Sequence, residues 1–88
     1  MAVRVTREQW ERAMRLCGWL RSNVPEVDPG PGGSYPEAGT PAARWADLYQ
    51  EANRIASAWA CNEPYSGGRV HEVMAVELAT RDTQEGEG

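Results

Sequence analysis

Residues 23–40, NVPEVDPGPGGSYPEAGT, hold four prolines and four glycines, a spacing that neither a helix nor a strand survives. The segment cuts the chain in two, and each part must build its own elements before they can meet. A connection this long is unusual inside a compact domain. It is expected either to serve a function or to be laid over the core by Val24, Val27 and Tyr35.

Both flanks read as amphipathic helices. The first runs from Thr6 to Ser22, with Thr6 and Gln9 spaced as a capping box and Val5 placed to touch Trp10 as a hydrophobic staple. Its apolar stripe is Trp10, Ala13, Met14, Cys17 and Leu20, with Leu16 alongside. Glu8 with Arg12 and Glu11 with Arg15 are expected as pairs one turn apart. The second helix is capped by Thr40, takes Pro41 as its first residue, and runs to about Asn62 before Pro64 and Gly67–Gly68 end it. Trp45, Leu48, Tyr49, Ala52, Ile55, Ala56 and Trp59 form its stripe, and the small Ala52 and Ala56 admit a close partner helix.

Residues 69–81 read two ways. As a helix they place Val70, Val73, Met74 and Leu78 on one side, with Glu77 and Arg81 paired; as a strand they would pair with residues 2–5. The expected fold is all-α: two long antiparallel amphipathic helices joined by the Pro/Gly loop, plus a shorter C-terminal helix. The alternative is α+β, with a small sheet from residues 2–5 and 69–80. The 88 residues fit one domain over 1–81, followed by a flexible acidic tail at 82–88.

Charge is unevenly divided. The net charge is −4, yet residues 1–22 carry five Arg against two Glu, while residues 23–88 carry four Arg against eleven acids. Either the first helix packs on an acidic remainder, or the surface is polarised and orients a partner.

No catalytic set emerges. Cys17, Cys61 and the single His71 show neither a zinc spacing nor a nucleophile–base motif. PGPGGS lacks the GK[ST] ending of a phosphate loop. No enzyme activity, metal or cofactor is expected. Without a leader-like or membrane-spanning run, the expected location is the cytoplasm, with reduced thiols.

The candidate chemistry is recognition. On the helical wheel Trp19 falls about 180° from Trp10, between Arg12 and Arg15. A ring of that size must be covered by its own Pro/Gly loop or C-terminal segment, by a second copy or by a partner. Trp and Arg together mark interface hot spots, so Arg12, Arg15 and Trp19 form one candidate partner-binding face. A second is acidic: Glu26, Asp28 and Glu37 in the loop and Asp47 and Glu51 on the second helix, with the tail, as an imitation of a phosphate backbone. A larger protein is the expected partner, and a homodimer would also cover Trp19. The alternative is a DNA- or RNA-binding regulator using the Arg/Trp face, against which the acidic balance stands.

Size, acidic balance, the missing catalytic kit and residue usage typical of a G+C-rich genome resemble, in style though in no specific motif, the small accessory proteins of phages and mobile elements, anti-CRISPR proteins among them. That resemblance implies a non-enzymatic inhibitor that binds a larger host or defence protein.

Overall fold

The computed structural model describes residues 2–87, with side chains through Arg81. Three helices follow in order, α1 (Arg7–Asn23), α2 (Pro41–Ala60) and α3 (Val70–Glu87), with a 3-10 turn at Pro25–Val27 after α1. Among the described residues there is no strand, so the all-α expectation holds. α3, at 18 residues, matches the 17 of α1 and the 20 of α2 rather than being shorter. The flexible tail expected at 82–88 concerns side chains outside those described.

Local chemistry sets the helix ends. The Thr6 hydroxyl accepts from the Gln9 amide at 3.1 Å, and the Gln9 side chain accepts from the Thr6 amide at 2.9 Å, so two amides at the start of α1 are satisfied reciprocally. Thr40 caps α2 by accepting from the Ala43 amide at 3.2 Å. α2 stops two residues earlier than the spacing predicts, because Asn62 takes a left-handed φ of 56°. The Glu63 amide then donates to the Ala58 carbonyl at 2.8 Å and the Asn62 amide to Trp59 at 3.1 Å, closing a Schellman cap.

α1 and α2 run antiparallel. Trp10 at the start of α1 stacks on Trp59 at the end of α2 at 6.2 Å, and Trp19 meets Trp45 at 5.8 Å at the other end. Between these pairs Ala13, Leu16, Cys17, Leu20, Ala52 and Ile55 are buried, and the alanines let the helices close. Val27 from the 3-10 turn joins this core, so the start of the Pro/Gly segment is laid over it as one of the two expectations had it; Tyr35, by contrast, is 64% exposed.

α3 takes the third side through Val70, Val73 and Met74. The strand reading of residues 69–80 is thus overturned, although residues 2–5 do use their backbone as expected of an extended segment. Val3 and Tyr65 exchange both backbone hydrogen bonds at 2.8 Å, an isolated antiparallel bridge that ties the N-terminus to the α2–α3 connection. Leu78, expected on the buried side of α3, is 47% exposed. Glu77 takes the inward position instead.

Candidate functional site

Trp19 is closed in by the other two helices. Its ring packs at 50° to that of Trp45 and shares with Ala75, Val76, Ala79 and Thr80 a cleft of about 420 Å³. A second cleft of about 490 Å³ lies between the starts of α2 and α3, floored by Pro41, Trp45, Leu48 and Val76 and rimmed by Arg44, Asp47, Arg69 and Glu72. Trp45 and Val76 line both, so the two clefts adjoin across these side chains and are treated together as the groove. Neither tryptophan is fully buried, and both flank the core rather than sit inside it.

The arginines beside Trp19 point inward. Glu77 has no solvent exposure. Its carboxylate accepts from Arg12 Nε at 2.7 Å, from Arg15 Nη1 at 3.3 Å and from Arg81 Nη2 at 2.7 Å. Arg12 Nη2 also donates to the Met74 carbonyl at 2.8 Å. Burial by itself would raise the Glu77 carboxyl, but hydrogen bonds from Arg81, Arg12 and Arg15 outweigh it and hold the group below the usual carboxylate range.

This arrangement replaces the pairs expected along α1. Arg12 and Arg15 turn from Glu8 and Glu11 to Glu77, and Glu11 is taken by Arg7 at 3.2 Å. An exposed pair one turn apart is worth a few tenths of a kcal/mol, whereas a buried carboxylate left unpartnered costs several. Arg12 is therefore largely committed within the chain, its side chain 20% exposed, while Arg15 keeps 54%.

The acidic candidates are dispersed. Glu51 lies in the interior, 5% exposed, where it accepts from the Tyr65 hydroxyl at 2.6 Å and from Arg54 at 2.8 Å. Burial and that bond to Glu51 push the Tyr65 hydroxyl up to about 12. Asp47 holds Arg69 at 2.6 Å, together with Glu72. Asp28 accepts from the Tyr49 hydroxyl at 3.4 Å. Glu26 and Glu37 are exposed in the loop. Asp47 alone of the five lines the groove.

Reactive groups are spread rather than assembled. Cys17 is 1% exposed with its thiol 3.7 Å from Asn53 Oδ1, and burial pushes it up to about 11. Cys61 and His71 are exposed. Among the described residues no three His, Cys, Asp or Glu side chains are placed to hold a metal, and no helix is long and apolar enough to cross a membrane.

Sequence reasoning missed Glu77 as an organising residue. The signal was present: Val70, Val73, Met74 and Glu77 share one helical stripe, and an acid in a buried stripe requires cations opposite it. Comparison with protein-family models, curated proteins and solved structures finds no match for this chain.

Proposed function

We propose that the protein is a non-enzymatic binding module that takes apolar side chains of a larger protein into the groove at Trp19 and Trp45. The observation that carries this reading is the adjoining pair of clefts, about 420 and 490 Å³, which share Trp45 and Val76. Apolar concavities with a few polar groups at the rim are the usual form of a recognition site. Tryptophan anchors with charged neighbours are the usual form of a hot spot. The narrower form of the proposal, an inhibitor of a host or defence protein carried by a phage or mobile element, rests on size, acidic balance and residue usage.

The test is affinity capture from the native host, with identification of the captured protein and repetition with Ala75→Arg. Ala75 is exposed on the cleft wall, so arginine there blocks the groove without entering the core. Loss of a stoichiometric protein partner with retained helicity supports the proposal. Unchanged capture by the variant, or recovery of nucleic acid alone, overturns it.

A further inference from the structure

The groove at Trp19 and Trp45 is walled by helices, and that limits what lies in it. Between their end turns, α2 and α3 spend their backbone N–H and C=O groups on their own bonds, so neither has a row of them to offer another chain. The described residues contain no strand and so no strand edge. In the cleft at Trp19 the walls are Ala75, Val76, Ala79 and the two indole rings, and the Thr80 hydroxyl there already donates to the Glu77 carbonyl at 2.7 Å. A tryptophan side chain carries a donor and no acceptor. The amides of an extended segment laid along this floor would lose water and find no row of acceptors, each at a cost comparable to a lost hydrogen bond.

The dimensions suit a helix. On α3 the lining residues run from Glu72 in one cleft to Ala79 in the other, which is two helical turns or about 10 Å of axis. Two hollows so spaced receive side chains at i and i+7 of a helix laid along the groove, with i+3 and i+4 over Trp45 and Val76. Ala75 and Ala79 are exposed and one turn apart, so the backbone of that helix can come close. The rim is balanced in sign, Arg44 and Arg69 against Asp47 and Glu72. Asp47 is given over to Arg69 at 2.6 Å, and Arg69 also takes Glu72. The exposed Arg44 guanidinium has no ion pair or hydrogen bond among the described residues. What complements this rim is one carboxylate facing Arg44 and one cation facing Glu72, which has only a share of Arg69. The other end of the groove, at Ala79 and Thr80, has no charged lining residue.

We infer that the groove receives an amphipathic helix of the partner protein, with apolar residues at i, i+3, i+4 and i+7, a carboxylate on the edge that meets Arg44 and a basic residue on the opposite edge, beside Glu72. This rests on the proposed function and names the form the partner takes there. A helix brings its own backbone hydrogen bonds, so only its apolar side chains enter the clefts. A nucleic acid fits less well, because Arg44 is the one unpaired cation lining either cleft among the described residues.

The probe is a synthetic peptide about four turns long with leucines at i, i+3, i+4 and i+7, glutamates along one edge and lysines along the other, compared with the same peptide carrying a central proline. Calorimetry is expected to give binding at least about tenfold weaker for the proline form, and circular dichroism a gain of helix when the first peptide is mixed with the protein. Amide shifts are expected to centre on Trp19, Trp45 and 72–80. Ala75→Arg is expected to lower affinity about tenfold or more with helicity retained. Arg44→Glu is expected to lower it about threefold, and a peptide with lysines on both edges to recover that loss. Equal binding of the proline form, indifference to Arg44→Glu, or shifts centred away from Trp19 and Trp45 overturns the inference. So does displacement of the peptide by a single-stranded oligonucleotide, or a dimer in sedimentation that Ala75→Arg abolishes, which assigns the groove to a second copy. If neither peptide binds while Ala75→Arg still loses the partner captured from the host, the helical form falls and the groove stands. Capture unchanged by Ala75→Arg removes the groove itself.

Discussion

The two seams of α1 are built on opposite physics. Against α2 it packs leucine, alanine and isoleucine between two tryptophan pairs, so the contact is area removed from water. Against α3 it adds a fully buried carboxylate met by three guanidinium groups. The first seam tolerates changes that keep volume, because dispersion and hydrophobic burial have no direction. The second does not, because each partner exists to satisfy another.

The sharpest break comes at the ionic seam. Glu77→Gln is expected to lower stability by about 3–5 kcal/mol in denaturant titration, because three buried or half-buried guanidinium groups lose their anion. Glu77→Leu combined with Arg12→Met is expected to cost less than Glu77→Leu alone, since an apolar pair at such a site is often neutral. If the double variant is the weaker one, the buried pair is favourable in its own right and the contrast between the seams narrows. At the apolar seam Leu16→Ala is expected to cost about 2–4 kcal/mol by cavity formation, with little dependence on pH.

Acidity separates the seams without mutation. The Glu77 carboxyl lies below its ordinary 4.5, so its contribution is fully present above that pH and is lost as the pH falls below it. The denaturant midpoint of the native chain is expected to drop below pH 4.5, and that dependence is expected to shrink in Glu77→Gln. Equal acid sensitivity in both proteins would place the titrating group elsewhere. On the alkaline side, Tyr65 is raised from 10.0 to about 12, so the stability from its bond to Glu51 is complete below pH 10.0 and fades as the pH rises toward 12.

Two glycines give the smallest effects, of opposite sign. At Gly67 a Cβ would run into the Tyr65 hydroxyl and the Glu51 carboxylate, so Gly67→Ala is expected to cost about 1–3 kcal/mol by disturbing a buried hydrogen bond. Gly18→Ala meets open space and is expected to raise stability by about 0.5–1 kcal/mol. Thermal melting checks both. A stability loss in Gly18→Ala would show that glycine there serves this chain's own packing.

Legibility followed the same division. The stripe from Trp45 to Trp59, the Thr6–Gln9 capping box and the Thr40–Pro41 start were readable because each depends on neighbours within two turns. Trp19 was readable as a ring needing cover, but not as the wall of a groove with Ala75 and Ala79, residues that spacing alone leaves anonymous. Glu51 was taken for surface charge because helical position does not reveal the Tyr65 hydroxyl brought beside it from 14 residues away.

Local propensity and periodicity were enough to set the first two helices, a Pro/Gly interruption and the antiparallel α1–α2 pair, since apolar stripes have one economical way to close, while the third segment stayed open between helix and strand. The fates of the charges were decided only by the third helix. Whether Arg12 bonds one turn back to Glu8 or across 65 residues to Glu77 depends on which carboxylate is driven out of water, and burial is a property of the assembled core.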